Sequence, residues 1–330
     1  MNSHEEKLLI VENVSKEYKS RKKEKGVNLT VKAVDDVSFY VKKGETFGIV
    51  GESGCGKTTL GKCIVRLHPP TAGKMLYEVD GEMKDLLTLS KKDSFRMRQK
   101  VQIVFQDPYA SLNPMHNILE AFDEPLRIHG FGDKEKRKEI VAEMLRAVNL
   151  QPEYMYRYPH EFSGGQRQRI CIAKALAMQP DLIVCDEPVS ALDVSIQAQL
   201  LNLMKDLQKQ YGLSYVFIAH DLSVVQYMSD RIAVMYLGKI VEMGTAEELY
   251  SNSCHPYTKA LLSAVPTPVF GQKKERIVLP GDIPSPLNPP TGCRFHTRCE
   301  HCTEKCKQVE PKLTLLDGEH MIACHMFNND

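Results

Sequence analysis

The sequence contains no tryptophan, almost no excess of charge and no long apolar run. Its 43 Lys and Arg residues are balanced by 42 Asp and Glu residues, giving a formal net charge of +1, which argues against a basic surface for nucleic acid. No stretch approaches the ~20 apolar residues that a transmembrane helix needs, and residues 1–20 are too polar for a signal peptide. We therefore expect a cytosolic chain that binds no nucleic acid but can dock on a membrane protein.

The ten cysteines are unevenly distributed along the 330 residues, a length that suits two domains or one domain with appendages. In a reducing compartment structural disulfides are rare. Five cysteines are scattered, and we expect them to be small core residues: Cys55, Cys63, Cys171, Cys185 and Cys254. The other five lie within the last forty residues, which favours a local function for that tail.

The segment Phe47–Thr59 reads as a buried strand, a glycine-rich turn and the start of a helix. Such a turn lets backbone N–H groups surround a phosphate chain at a helix N-terminus, where the helix dipole favours anions. Lys57 adds a positive charge for the outer phosphates, and the Thr58 hydroxyl can bind Mg²⁺. The predicted nucleotide contacts are Gly51, Ser53, Gly54, Cys55, Gly56, Lys57, Thr58 and Thr59. The pattern therefore predicts binding of a nucleoside triphosphate.

The region before this loop has the pattern of strands. Leu8–Val14 alternates apolar and polar residues, and Val31–Val41 is expected to form a strand pair with turns at Asp35–Asp36 and Lys43–Gly44. Tyr18 lies between them and has two interpretations: a ring that stacks on adenine, or ordinary strand packing.

The region after the loop is predicted to be largely helical. A polar helix is expected over Ser90–Arg98, then a short strand ending at Gln106 and a polar loop over Asp107–Pro114. Two helices are expected over Ile118–Ile128 and Lys134–Val148. Phe162–Gln166 opens a further helix with Ser163, Gly164 and Gly165 at its start. This start is either a second anion-binding helix N-terminus or a plain serine N-cap.

Two buried strands are predicted to end in polar residues. The apolar run Asp181–Glu187 suits a parallel sheet covered on both faces, and it ends in two carboxylates. We expect Asp186 to bind Mg²⁺ through water and Glu187 to polarise the attacking water; the alternative is a carboxylate pair that caps the next helix. His220 follows the next apolar run and is predicted to contact the γ-phosphate.

Taken together, these motifs resemble the ATPase subunit of ATP-binding-cassette (ABC) transporters over about residues 8–265. The likeness rests on the phosphate loop, Gln106, Phe162–Gln166, the Asp186–Glu187 strand, Asp193 and His220, which occur in the family's order. The family signature usually begins with Leu, and here it begins with Phe162. The segments Gln106–Pro114, His255–Thr258 and Gly292–His296 resemble the oligopeptide/dipeptide importer branch in particular.

The resemblance implies an α/β fold of the P-loop NTPase class. A RecA-like core sheet with helices on both faces would be joined by an antiparallel β subdomain and a helical signature subdomain at about residues 107–178. The expected division is a nucleotide-binding domain at 1–265 and a regulatory, cysteine-rich module at 266–330, entered through a proline-rich linker.

The resemblance also implies the mechanism and the partners. Two ATPase subunits, identical or homologous, would meet head to tail, so that one ATP is held by the phosphate loop of one subunit and by Ser163, Gly164 and Gly165 of the other. Tyr18, Gln166 and Asp193 complete the expected nucleotide contacts, while Lys57, Gln106, Glu187 and His220 are the expected catalytic residues. Gln106 would also connect Mg²⁺ with the transporter contact, and the loop Asp107–Pro114 would serve coupling.

This assembly would sit at the cytoplasmic face of the cell membrane. Two integral membrane permease subunits would bind the ATPases, and an extracytoplasmic peptide-binding protein would act indirectly. Peptides are the family's usual cargo, and nickel or another solute is the alternative. The rivals from other classes are a soluble cassette ATPase that acts on nucleic acid or the ribosome, and a zinc-dependent DNA-binding regulator.

The tail pattern C-x5-C-x6-C-x17-C consists of Cys293, Cys299, Cys306 and Cys324. It resembles the pattern in dipeptide-importer ATPases that bind a [4Fe–4S] cluster, and four thiolates suit either such a cluster or zinc. A proline-rich tail of this size also needs a metal or other staple, as folds below ~70 residues commonly do. Zinc is the alternative because Cys302 creates a C-x-x-C pair and three histidines lie near: His296, His301 and His325. Free thiols, or disulfides formed after purification, are the third interpretation.

Overall fold

The computed structural model describes residues 6–24, 27–265 and 276–327. Its strands are β1 (Lys7–Glu24), β2 (Val27–Lys42), β3 (Thr46–Val50), β4 (Ala72–Val79), β5 (Glu82–Asp85), β6 (Val101–Val104), β7 (Leu182–Asp186), β8 (Ser214–Ile218), β9 (Arg231–Tyr236), β10 (Lys239–Thr245), β11 (Thr314–Asp317) and β12 (His320–Ile322). Its α-helices are α1 (Lys57–Ile64), α2 (Lys91–Lys100), α3 (Pro108–Ser111), α4 (Ile118–Ile128), α5 (Lys134–Ala147), α6 (Gly164–Leu176), α7 (Val194–Tyr211), α8 (Leu222–Met228), α9 (Ala246–Asn252), α10 (Pro256–Ser263) and α11 (Glu304–Gln308).

The chain divides into two compact units. We call the first, built mainly from Thr88–Phe217, the helical unit. The second, the phosphate-loop unit, consists of Lys7–Val41, Thr46–Leu87 and the described chain from Ile218 onward. The predicted boundary between residues 265 and 266, and the first part of the predicted linker, lie outside the described residues.

The helical unit has a parallel sheet edge packed with helices. β6 and β7 run parallel, with Val101 opposite Leu182 and Val104 opposite Cys185. Every residue of β7 is buried, as an apolar run in a parallel sheet requires. The predicted polar helix is confirmed as α2, whose first turn is capped by the Ser90 side chain.

The phosphate-loop unit contains two sheets. In one, β3 pairs in parallel with β9, and the order continues antiparallel through β10, β12 and β11. In the other, the order is β2-β1-β4-β5, which agrees with the predicted antiparallel β subdomain. The described part of the tail therefore adds two strands, β11 and β12, to the sheet that carries the phosphate loop.

The predicted turn at Asp35–Asp36 is wrong, because β2 runs through it as one strand. Asp36 has a left-handed backbone with φ of 57°, and Asn13 on β1 has φ of 49°. The Asn13 amide donates to Asp36 at 2.8 Å, and the Asp36 N–H donates to the Ser15 hydroxyl at 2.9 Å. The local turn preference is therefore accommodated as a kink shared by two neighbouring strands.

Candidate nucleotide site and cysteine-rich tail

The phosphate loop connects β3 to α1 and depends on glycine at two crowded positions. Gly51 has φ of 152°, and a Cβ there would lie 2.1 Å from the Met235 carbonyl oxygen. Gly56 has φ of 107°, and a Cβ there would lie 2.0 Å from the Ala33 carbonyl oxygen. No other residue fits these positions, so both glycines are required for the conformation of the loop itself.

Lys57, the first residue of α1, folds back over the loop. Its ammonium group donates to the carbonyl oxygens of Gly51 at 2.7 Å and of Glu52 at 3.0 Å. The Cys55 sulfur lies 3.7 Å from the same nitrogen and is buried, and this burial raises the pKa of the thiol. Cys55 can therefore contribute its backbone to a phosphate, whereas Ser53, Gly54 and Thr58 are exposed at the open side of the loop.

Tyr18 lies on β1 against the helix that follows the phosphate loop. Its hydroxyl is 2.6 Å from His68 Nδ1, and a hydrogen bond with Thr59 partly offsets the burial that raises the Tyr18 pKa. Lys16 stands 5.1 Å from the ring centroid. The residue is half-buried, so it can pack against α1 on one side and stack on a nucleotide on the other.

The predicted catalytic carboxylates follow β7 in the helical unit. Asp186 is buried at the strand end, and Glu187 turns away from it with a left-handed φ of 48°. The Gln106 side-chain amide donates to the Glu187 carboxylate at 3.2 Å and to the Ser190 hydroxyl at 3.2 Å. The structure thus brings Gln106 and Glu187 together. This is the arrangement expected if Glu187 is a general base and Gln106 orients it.

The signature segment forms a capping box at the start of α6. The Ser163 hydroxyl accepts the Gln166 N–H at 3.3 Å, and the Gln166 side chain accepts the Ser163 N–H at 3.0 Å. Gly165 is packed so tightly that a Cβ would lie 2.7 Å from the Ile196 side chain. In the single chain the segment is therefore a serine cap, and its exposed hydroxyl remains at a helix N-terminus that favours anions.

Asp193 and His220 are both exposed at the ends of elements. Asp193 is the N-cap residue of α7, but its side chain makes no capping hydrogen bond. His220 follows the buried strand β8, where the sequence predicted it.

The tail contacts the phosphate loop through an arginine that the sequence did not single out. Arg298 makes a bidentate ion pair with the Glu52 carboxylate at 2.7 and 3.2 Å. The Glu52 N–H donates to the Tyr257 hydroxyl at 2.9 Å. Glu52 and Arg298 are 246 positions apart, so no local pattern links them.

An aromatic cluster fixes the tail beside these contacts. Phe295 is almost fully buried and packs against Tyr236, Tyr257 and His255 at ring-centroid distances of 5.3, 5.4 and 5.6 Å. The neighbouring Arg294 forms an ion pair with Asp35. The segment Gly292–His296, which resembled the importer branch, is thus a docking segment.

A second anchor surrounds the fully buried carboxylate of Glu242 on β10. It accepts N–H groups from Cys254 at 2.6 Å and His255 at 3.2 Å, and it lies 2.8 Å from His320 Nε2 on β12. Buried charge needs such partners. Glu242, Cys254 and His320 bring their ligand atoms within 4.8 Å of one another, yet donors already occupy the carboxylate, so the group acts as an anchor.

His255 belongs to the same buried region and caps α10. Its Nδ1 accepts the Tyr257 N–H at 3.1 Å, so this nitrogen carries no proton. Burial lowers the pKa of His255 to about 3, which keeps the ring neutral.

The four predicted cluster cysteines lie together. Burial raises the pKa of Cys293 to about 12, and its thiol also interacts electrostatically with Cys306, Cys324 and Cys299. The remaining pairs among the four interact as well. A backbone hydrogen bond from the residue two positions on reaches three of these sulfurs, those of Cys293, Cys299 and Cys324.

Among the described residues of the tail, the four sulfurs do not form a compact group around one point. Ligands at ~2.3 Å from one zinc lie within about 4.6 Å of one another. Within residues 276–327, no three ligand atoms from the tail alone come within 4.8 Å.

The alternative zinc ligands have other partners. The Cys302 thiol faces the Thr303 carbonyl oxygen at 3.5 Å. His296 Nδ1 lies 2.9 Å from the Cys293 carbonyl oxygen, and His325 Nε2 lies 2.8 Å from that of Val309. His301 lies 3.4 Å from the Glu300 carboxylate.

Comparisons with known proteins agree with the motifs. The family model "ABC transporter" matches residues 34–190, and "Oligopeptide/dipeptide transporter, C-terminal region" matches residues 241–306. Across the described ranges, no helix combines the length and the apolar character needed to cross a membrane.

Relatives match along most of their length. The oligopeptide transport ATP-binding protein AppF of Bacillus subtilis is 53% identical over 90% of both chains. The dipeptide transport ATP-binding protein DppF of Haemophilus influenzae is 51% identical over 89% of both chains. A solved dimeric ATP-binding cassette, in a post-hydrolysis state with ADP and Pi, is 29% identical; it matches 72% of this chain and 99% of its own, with a TM-score of 0.62. The chain therefore belongs to the ABC transporter family of ATPases.

Proposed function

We propose that this chain is the ATP-hydrolysing subunit that energises import of dipeptides or oligopeptides across the cytoplasmic membrane. The observation that carries the proposal is identity of 51–53% to oligopeptide and dipeptide transport ATP-binding proteins over about nine-tenths of each chain. The match to the C-terminal region of this transporter class supports the same cargo. The neutral charge balance disfavours the nucleic-acid alternative.

The proposed chemistry gives each predicted site residue a role. Lys57 binds the outer phosphates, and Glu187 takes a proton from the attacking water, oriented by Gln106. His220 contacts the γ-phosphate. The residues that would hold Mg²⁺ are Thr58, Gln106 and, through water, Asp186, and the ion would supply charge neutralisation at the phosphates.

The exposed signature residues support action between two subunits. Ser163 and Gly164 lie at a helix N-terminus, which suits the phosphates of a nucleotide bound to a second ATPase subunit, and the family resemblance assigns Asp193 to the same contact. ATP binding closes this head-to-tail dimer, and hydrolysis reopens it. The dimer lies at the cytoplasmic face of the membrane, where its closure would move two integral permease subunits. An extracytoplasmic peptide-binding protein would supply these permeases with peptide.

Purification of tagged chain from detergent-solubilised membranes tests this proposal. We expect two integral membrane proteins and a second ATPase subunit to copurify, and uptake of labelled peptide to require Lys57. Copurification of ribosomes or DNA in place of membrane proteins would contradict it. Uptake of nickel but not of peptide would contradict the cargo alone.

We also propose that Cys293, Cys299, Cys306 and Cys324 hold a [4Fe–4S] cluster. Their mutual proximity and the backbone hydrogen bonds to three sulfurs support this assignment. ATP hydrolysis requires no electron, so the cluster would have no part in the reaction. It would instead stabilise the fold of the tail or make the tail sensitive to oxidation.

Metal analysis of anaerobically purified protein tests the cluster. We expect brown protein with about four irons per chain. Cys306→Ser should lose the iron, whereas the matched variant Cys302→Ser should keep it. Colourless protein with one tightly bound zinc would overturn the assignment.

A further inference from the structure

The phosphate loop contains a carboxylate where it is expected to bind an anion. Glu52 directly follows Gly51, and its backbone carbonyl already accepts a hydrogen bond from Lys57. A negative side chain in this loop opposes the charge of the incoming phosphates, since like charges at short range repel strongly near a protein surface. The loop therefore needs a counter-charge for Glu52.

Arg298 supplies that counter-charge. Its two terminal nitrogens donate to the two Glu52 oxygens at 2.7 and 3.2 Å, the fork geometry that makes arginine–carboxylate pairs strong and directional. The Arg298 side chain is 7% exposed and that of Glu52 is 24% exposed, so water screens the pair only partly. The guanidinium also lies 5.9 Å from the Tyr236 ring.

The position of Arg298 depends on the cysteine-rich tail. It ends the short 3₁₀ helix His296–Arg298, between Cys293 and Cys299. Phe295 fixes the other end of this turn in the aromatic cluster with Tyr257, whose hydroxyl accepts the Glu52 N–H. The backbone and the side chain of Glu52 are thus both held by residues C-terminal to residue 250.

We propose that Arg298 is a positioning residue for the phosphate loop, through which the cysteine-rich tail sets the affinity of the ATP site. It does not touch the phosphates; it neutralises Glu52 and holds the loop in its binding conformation. The inference rests on the proposed ATP hydrolysis, but it requires neither a particular cargo nor a particular metal.

A double-mutant cycle on the full chain tests the charge effect. We expect Arg298→Ala to weaken binding of a fluorescent ATP analogue roughly tenfold, the size of one largely water-screened charge at several ångströms, and to raise KM far more than it lowers kcat. In a Glu52→Gln background the same substitution should change affinity less than about twofold, because no carboxylate is left to neutralise. Arg298→Lys should recover part of the loss.

The cycle separates this role from simple loss of folding. A misfolded tail would weaken binding equally in the wild-type and Glu52→Gln backgrounds, and that result would overturn the inference, as would unchanged affinity of Arg298→Ala. Lys305→Ala is the matched control, since it removes a positive charge from an exposed position in the same tail and should leave affinity unchanged. If the wild-type chain bound no ATP, the proposed function would fail instead.

A second cycle tests the dependence on the tail. Cys299→Ser should weaken ATP binding when Arg298 is present and add nothing when position 298 is alanine. Additive losses, or no loss from Cys299→Ser alone, would show that the tail cysteines act independently of Arg298 and would overturn this part.

Discussion

At the scale of single residues, Glu187 occupies a conformation that few residues other than glycine adopt. Its φ of 48° costs of order 1–3 kcal/mol for a non-glycine residue in a strained position. Such strain persists where the surroundings determine it, and Gln106 holds the carboxylate at 3.2 Å. The N-cap residue of the next helix, α7, is Asp193, so Glu187 does not cap that helix.

Glu187→Gln is expected to keep ATP binding and to stop turnover. The amide preserves the shape of the side chain but cannot accept the proton of water, a loss that typically costs ~10²–10⁴ in rate. Steady-state ATPase activity and binding of an ATP analogue measure the two effects. Glu153→Gln, at an exposed position in the same unit, should retain full activity. Near-wild-type hydrolysis by Glu187→Gln would refute the assignment.

Single residues could be predicted where the chemistry lies in one contiguous segment. The phosphate loop is such a case, because glycines, lysine and threonine at fixed spacing specify a shape and a charge. The pairing of Glu52 with Arg298 could not be predicted, since 246 positions separate them and neither lies in a recognisable pair pattern.

At the scale of elements, the start of α6 has two functions that a sequence cannot separate. Ser163 caps the helix within its own chain, and the same exposed hydroxyl is available to an anion. Two substitutions distinguish these functions because aspartate also caps helices but carries a negative charge.

We expect Ser163→Asp to keep the stability of the chain and to abolish ATPase activity. The carboxylate replaces the cap but repels the phosphates of the partner's nucleotide. Ser163→Ala should lower the free energy of unfolding by about 1 kcal/mol, the usual cost of a lost N-cap. Urea unfolding and ATPase assays measure both variants. Full ATPase activity of Ser163→Asp would contradict the contact between Ser163 and the partner's nucleotide, and capping of α6 would then be the function of this residue.

Tyr109 on α3 connects the segment after Gln106 with the signature helix. The residue is 63% exposed, and the Arg167 guanidinium lies 3.6 Å from the centroid of its ring and donates to its hydroxyl. Arg167 thus holds α3 against α6 while Tyr109 stays exposed. An exposed side chain in a fixed position suits a contact with another subunit.

Tyr109→Ala is expected to uncouple transport from ATP hydrolysis. In the assembled complex, peptide uptake should fall severalfold per ATP hydrolysed, while the isolated chain binds ATP normally. Tyr109→Phe retains the ring over Arg167 and should lose less. Normal uptake by Tyr109→Ala in reconstituted vesicles would mean that α3 has no coupling role.

Elements could be predicted where one physical signal dominates. The buried strands β7 and β8 are apolar runs, and α2 begins at a capping serine. The predicted turn in β2 failed because Asp36 satisfies its side chain on a neighbouring strand, a tertiary contact that outweighs local preference.

At the scale of the whole molecule, the tail is held by anchors that lie far apart in sequence. Arg298 pairs with Glu52, Arg294 with Asp35, and His320 with Glu242. Composition suggested a poorly packed tail that needs a metal staple. These ion pairs also stabilise the tail. They could not be predicted from the sequence because the partners in each pair lie far apart along the chain.

The buried His255 makes the stability of the phosphate-loop unit dependent on pH. Its pKa is about 3 in the folded chain and ~6.5 when unfolded, so the unfolded state binds more protons below pH 6.5. Stability is therefore fully present above that pH and is lost as the pH falls toward 3. The free energy of unfolding should decrease by up to ~1.4 kcal/mol per pH unit in this window.

Urea unfolding between pH 7 and 5 measures this slope before most carboxylates titrate. His255→Asn is expected to flatten it, because asparagine can cap α10 but does not bind a proton in this range. His116→Asn, at an exposed histidine, should retain the wild-type slope. An unchanged slope in His255→Asn would mean that protons are taken up elsewhere during unfolding. A flattened slope would place the pH-sensitive point of the fold at His255, whose Nδ1 accepts the N–H of Tyr257, the residue whose hydroxyl contacts the phosphate loop.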